Sequence, residues 1–186
     1  MRASTFIALL RGINVGGHNR VPMSELRSAC EDHGWRNAQT YIQSGNLLLR
    51  APSAPARVEE ELERLIERTF GLTIAVIVRT AAEWSASVRR NPFPDASRTE
   101  PKAVMLALSK ERPRKDAAAE LAARAADGER IERAGDDLWI HFARGMGKSK
   151  LSPQVLDRLV GSPVTMRNWR TVVTLEEMAV EVDRGK

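Results

Sequence analysis

Phe6–Arg20 reads FIALLRGINVGGHNR, an unbroken apolar run that stops at Arg11 and passes into a glycine-rich, basic, carboxamide-bearing loop. Thr5–Leu10 has the length and composition of a buried strand, and Val21-Pro22 opens a helical pattern immediately afterwards. A strand that ends in such a loop leaves backbone N–H groups able to hold something. Gly12, Gly16 and Gly17 open conformations closed to other residues, and successive N–H groups in turns of this kind form anion-binding concavities. No acidic residue precedes Glu25, so Arg11, Arg20 and His18 have no local competitor.

Outward from this stretch, strand and helix signals alternate. Met23–His33 carries Leu26, Ala29 and Cys30 at helical spacing and stops at Gly34. Asn37–Ile42 and Leu47–Arg50 read as strands joined by Gln43-Ser44-Gly45-Asn46. Ser53 is placed to cap a helix over 54–69 with Val58, Leu62, Leu65 and Ile66 on one face, ended by Gly71. Leu72–Val78 is the next strand, and Thr80 with Glu83 fits a capping box that starts a short helix. The order β-α-β-β-α-β is that of a ferredoxin-like plait.

Asn91-Pro92-Phe93-Pro94-Asp95 cannot continue that helix, because two prolines lock φ and remove donors. The order then repeats. Ala103–Leu108 is a strand, Pro113–Ala126 a helix, and Glu129–Arg133 and Leu138–Phe142 form a hairpin about Gly135. Ser152-Pro153 starts a helix that stops at Gly161, Val164–Met166 is a short strand, and Thr174 with Glu177 caps a last helix. The expected fold is α+β, two ferredoxin-like (βαββαβ) subdomains packed together as a pseudo-duplication. The N-terminal subdomain with its short helix spans residues 1–89, a proline-rich junction 90–101, and the C-terminal subdomain 102–186. Four strands are apolar without alternation, which predicts burial on both faces. A lone plait covers one face with helices, so the other face is expected to meet the second half or a second subunit of a homo-oligomer.

Bulk composition narrows the class of protein. The chain has 186 residues, 42% apolar and 28% charged, the balance of a globular protein. Its net charge of +5 favours anionic partners, although Arg and Ala richness would also follow from biased base composition. Cys30 is the only cysteine, which excludes an intrachain disulfide. The N-terminal apolar run is too short for a signal sequence, and nothing approaches the ~20 apolar residues of a membrane span. A cytoplasmic protein without membrane association is expected.

Several sharper motifs fail on spacing. Gly147-Lys148-Ser149 resembles the end of a P-loop, but the required upstream glycine falls at Phe142. Ser44 lacks the flanking glycines of a nucleophile elbow, which would fall at Ile42 and Asn46. His18, His33 and His141 are far apart, so no metal site and no cofactor are expected.

Five short motifs in order, ALLRGINVGG, TYIQSGN, NPFP, GKSK and RNWRTV, make the chain resemble the uncharacterised bacterial domain-of-unknown-function family numbered 1697. The resemblance runs from about residue 3 to residue 180. It implies an α+β fold of two ferredoxin-like subdomains and carries no activity, cofactor or catalytic residue.

Function is left to four loops that carry polar signals and no carboxylates. The first is Arg11–Arg20, with Arg11, Gly12, Asn14, Gly16 and Gly17 as ligand-binding candidates. The second is Tyr41–Asn46, offering Tyr41, Ser44 and Asn46. The third, Arg144–Lys150, offers Lys148 and Lys150 ahead of a helix N-terminus. The fourth places Trp169 between Arg167 and Arg170, beside Asn168. Each loop has a structural reading too, as a tight turn or an internal ion pair.

Three classes of function remain open. One is binding of an anionic ligand, with the backbone of RNA or single-stranded DNA placed first. Leu47-Leu48-Leu49 cannot stack bases, and Trp169 is the stacking candidate. Another is a small-molecule binding protein or enzyme for a phosphorylated or carboxylated ligand, its site between the subdomains. It would have Tyr41, His141 or Asp95 as proton-transfer groups. The third is burial of the loops in a homodimer.

Overall fold

The structure, a computed structural model, describes residues 3–126 and 128–184. The chain is α+β, with two four-stranded antiparallel sheets. Its packing divides into two units, Met1–Ser85 with Leu175–Lys186, and Ala86–Thr174.

In the first unit β1 (Ser4–Leu10) lies between β3 (Asn46–Ala51) and β4 (Val76–Thr80), with β2 (Arg36–Tyr41) outside β3. The sheet order is β2-β3-β1-β4. Helices α1 (Met23–Asp32) and α2 (Pro55–Phe70) place Leu26, Cys30, Val58, Leu62 and Ile66 against one face, where Phe6, Ala8, Leu10, Leu47 and Leu49 are buried. The opposite face is buried as well, since Ile7, Leu9, Leu48 and Ile77 have almost no exposure. That is the consequence of strands without alternation. The Thr5 hydroxyl on this second face donates to Asp183 at 3.0 Å, which fixes the end of α7 (Trp169–Asp183) there.

The second unit repeats the order. β5 (Val104–Ser109), α5 (Ala117–Arg124), β6 (Arg130–Ala134), β7 (Asp137–His141), α6 (Pro153–Val160) and β8 (Val164–Asn168) give a sheet ordered β6-β7-β5-β8. Leu121, Leu138, Ile140, Phe142 and Leu156 form its core on the helix side. Between the repeats lie α3 (Ala81–Arg89) and α4 (Pro94–Thr99), and the division between units falls inside α3 and α7. Among the described residues no helix is long and apolar enough to cross a membrane.

Local chemistry accounts for most boundaries. The Thr80–Glu83 capping box forms, the Thr80 N–H donating to Glu83 Oε2 at 2.8 Å and the Glu83 N–H to Thr80 Oγ1 at 3.1 Å. Ser152 caps α6, accepting from the Val155 N–H, and α6 ends at Gly161.

Five segments differ from the sequence reading. Ser53 does not cap α2; Ala54 holds that position, and Pro55, whose missing N–H costs nothing there, begins the helix. Residues 72–75 are not strand, because β1 ends at Leu10 opposite Val76, and beyond that pair only the Arg11 N–H reaches back, to Ala75 O at 3.0 Å. Residues 113–116 are not helix; α5 begins at Ala117, and the Arg114 N–H donates outside it to Val160 O at 3.1 Å. The last helix begins at Trp169, capped by Asn168, whose Oδ1 accepts the Thr171 N–H at 2.9 Å. Thr174 sits within it and donates its hydroxyl back to Arg170 O. Finally, the 90–101 segment carries α4, with Pro94 at its first turn.

Candidate functional site

Strand register brings two of the four loops to one end of the first sheet. Leu9 pairs with Asn46 and Leu10 with Val76, so β1 ends where β3 and β4 begin. The 11–20 loop and the 42–45 turn therefore emerge side by side. Asn14 ties them together. Its Nδ2 donates to Val21 O at 3.0 Å and to Gln43 O at 2.9 Å, while its Oδ1 accepts the Val21 N–H at 2.9 Å. Asn14 takes a left-handed backbone, φ 53°, which asparagine tolerates better than most residues. The neck of the loop is closed by the Asn14 N–H to Asn19 O, 3.1 Å, and by Asn19 Nδ2 to Gly12 O, 3.1 Å. Its tip is a two-residue turn, with the His18 N–H donating to Val15 O at 3.0 Å. Gly16 and Gly17 both have positive φ there, as tight hairpin turns require.

The neighbouring turn is equally fixed. Asn46 is fully buried, and its Nδ2 donates to Tyr41 O and to Ser44 Oγ, each at 3.0 Å. The Leu10 N–H donates to Gly45 O at 2.8 Å. A Cβ on Gly45 would lie 2.7 Å from Leu10 O and 3.0 Å from Ile13 Cγ1. Tyr41 is half-buried at the end of β2, while Ile42 is exposed with φ 49°. Arg11 is half-buried, its N–H donating to Ala75 O, and Arg20 is exposed. Residues 1–24, 33–58 and 68–82 contain no Asp or Glu. Every segment that forms this end of the sheet comes from those three stretches.

The equivalent connection of the second unit follows β5. It is just as basic, with Lys110, Arg112, Arg114 and Lys115, but carboxylates answer its arginines. Arg112 pairs with Asp136 at 2.8 Å, and Arg114 with Asp116 at 3.1 Å and Glu120 at 3.4 Å. The hydrogen bond from Arg114 holds the Asp116 carboxyl below its usual range.

The other two predicted loops lie at the opposite end of the second sheet, where β7 and β8 finish and β5 begins. Lys148 and Lys150 are exposed, and Met146–Lys148 forms a single 3-10 turn. Ser149 anchors that loop, bonded to the Glu129 carboxylate and accepting the Leu151 N–H. Arg167 is 8% exposed; its Nη1 donates to Thr165 Oγ1 and Met166 O, and burial pulls its pKa down to about 10. Asn168 is the cap of α7, and Trp169 is half-buried with its ring 5.8 Å from that of Trp139.

The proton-transfer candidates are dispersed within their own elements. Asp95 is exposed and paired with Arg98. His141 is buried, with Nε2 3.4 Å from Glu100 Oε2 and its ring 5.9 Å from Phe93. Cys30 is core, its thiol pushed up to about 12 by burial and then by Glu31. Among the described residues no group of three His, Cys, Asp or Glu is placed to hold a metal ion. The part of Asn19, and that of Gln43 through its backbone oxygen, depend on partners brought in by folding.

Fold and loops together define a two-unit α+β protein with a carboxylate-free loop pair at one end of its first sheet. The family described as "Protein of unknown function (DUF1697)" matches residues 3–139, and the chain belongs to it. That match takes in the RGINVGG, SGN and NPFP segments, whereas Arg144–Lys150 and Arg167–Trp169 lie beyond it. A solved structure, the conserved bacterial protein SP0830 from Streptococcus pneumoniae, is similar over 96% of this chain and 99% of its own. Its TM-score is 0.75 at 20% identity, a likeness of fold. No curated protein matches.

Proposed function

We propose that this chain binds an anionic ligand, the phosphate backbone of single-stranded nucleic acid, across the end of the first sheet. The observation that carries the reading is the Asn14 clamp, which holds two loops free of carboxylates as one surface. Arg11 and Arg20 supply charge there, His18 a further donor, and the glycine-rich tip lets phosphates approach the backbone. The strand orders β2-β3-β1-β4 and β6-β7-β5-β8 support reading each unit as a ferredoxin-like plait, a scaffold that hosts many functions and decides none.

Lys148 and Lys150, exposed in the second unit, are a separate and weaker candidate contact, and Asn46 and Asn168 act as scaffold. The test is fluorescence polarisation of labelled single-stranded RNA, single-stranded DNA and duplex DNA across a salt series. Arg11→Ala and Arg20→Ala are each expected to weaken binding severalfold and to flatten the log–log salt slope by about one phosphate's worth. Absence of binding to every probe at low salt, or unchanged slopes in both variants, would overturn the reading.

A further inference from the structure

Among the described residues four large apolar side chains are exposed: Val15, Ile42, Met146 and Val180. Val15 and Met146 sit in glycine-rich basic loops and Ile42 in the uncharged 41–46 turn. Of these, Val15 (65% exposed) and Ile42 (52%) share the end of the first sheet. They flank one contact. The hydrogen bond from Asn14 Nδ2 to Gln43 O lies between the residue before Val15 and the residue after Ile42. Each apolar side chain is thus exposed one residue away from the hydrogen bond that joins the two loops.

Bare phosphate gains nothing from these side chains. Ile42 makes the point more sharply, because a β-branched residue at φ 49° is unfavourable and the turn itself would be better served by glycine. A ligand that is anionic along one edge and apolar along the other uses both features. Resting on the reading above, we infer that Val15, Ile42 and Tyr41 contact the unpaired bases of the strand whose phosphates the arginines hold. Tyr41, half-buried, precedes Ile42 in the chain, and base faces or a thymine methyl provide the apolar surface. In a duplex the base faces are stacked inward, so duplex satisfies only the cations. The absence of Asp and Glu from residues 1–24 and 33–58 opposes no phosphate on either side of the apolar pair.

The experiment compares three labelled probes on the full chain: a dT20 oligonucleotide, an abasic oligonucleotide of equal length, and a 20-base-pair duplex. The expected result is at least tenfold tighter binding of dT20 than of the abasic strand. Val15→Ser and Ile42→Gly should cut that preference to threefold or less and leave abasic binding unchanged. Ile42→Gly is also expected to hold or raise the denaturation midpoint, so that lost binding cannot be ascribed to misfolding. Equal affinity for dT20 and the abasic strand overturns this inference and leaves phosphate binding standing. No binding of either strand overturns the phosphate reading itself. Stronger association with vesicles of 30% phosphatidylserine than with dT20 would assign the apolar pair to a membrane surface and overturn the inference.

Discussion

Replacing Gly45 by alanine tests the junction on which the candidate site is built. The new Cβ would lie 2.7 Å from Leu10 O, 2.9 Å from Leu10 Cβ and 3.0 Å from Ile13 Cγ1. Two of those atoms belong to the end of β1, which is hydrogen-bonded to strands on both sides and cannot retreat without breaking its ladder. The residue also has φ +78°, a conformation that costs a side chain about 1–2 kcal/mol. Forcing a methyl into packed surroundings adds about 1–3 kcal/mol.

Gly71 gives the control, since it has φ +67° at the end of α2 but nothing within 4 Å of its Cβ position. Gly71→Ala should therefore show the conformational cost alone. Gly45→Ala should lose about 1–3 kcal/mol beyond it, several degrees in Tm for a chain of this size. Urea denaturation followed by circular dichroism measures both variants, with the slope against urea reporting whether the unfolded state has changed. In the polarisation assay Gly45→Ala should weaken single-strand binding and Gly71→Ala should not. Equal loss of stability in the two variants would refute the close approach of the turn to β1, and with it the rigid pairing of the two loops.

Two further predictions concern the unit around this site. The Cys30 thiol should resist alkylation in the folded protein, and its raised pKa stabilises the fold fully below about pH 9 and loses that contribution as pH climbs towards about 12. The Cys30→Ala variant should lack this part of the alkaline decline in stability; identical declines in the two proteins would contradict the burial. On α2, Glu63 accepts the Val76 N–H at 2.9 Å and Glu59 the Val78 N–H at 3.1 Å, so both carboxylates cover the outer edge of β4. Glu59→Ala with Glu63→Ala should cost about 1–3 kcal/mol per unmet N–H and increase light scattering on heating, whereas the double Gln variant, which can still accept, should lose much less.

The legible parts of this fold are those set by near neighbours. The apolar runs of β1, β3 and β5, the capping box at Thr80, the Ser152 cap and the glycine stops at Gly71 and Gly161 all act within four residues, and each is where the sequence places it. What escaped depends on partners far along the chain. The 113–116 segment looks helical but lies ahead of α5, tied to the end of α6 through the Arg114 N–H and Val160 O, a bond that only the tertiary fold supplies. Thr174 reads as the cap of the last helix, but β8 ends at Asn168 by its register with β5, and Asn168 holds the cap instead. Pro94 reads as a breaker, yet at the first turn of α4 it is permitted, with Asn91 receiving the Phe93 N–H and donating to Ser97. At the candidate site the basic loops were visible, but the Asn14–Gln43 bond, spanning 29 residues, was not.

The two repeats share an edge device without sharing the site. Asp157 on α6 accepts the Val164 N–H at 2.8 Å on edge strand β8, as Glu59 and Glu63 do for β4. Edge cover is needed wherever a sheet of this order ends, so both repeats have it. A basic loop after the first strand of each repeat is also common to both, since Lys110–Asp116 stands where Arg11–Arg20 does. Yet Asp116, Glu120 and Asp136 pair with Arg112 and Arg114, so the arginines of that loop have carboxylates beside them. The segments that surround the first loop contain no Asp or Glu, whereas the arginines of the second are in ion pairs. Net charge of +5 does not distinguish these two places; the local absence of acidic residues does. The affinity of a polyanion should therefore respond to Arg11 and Arg20 and be nearly indifferent to Arg112 and Arg114, although the four lie in topologically equivalent connections.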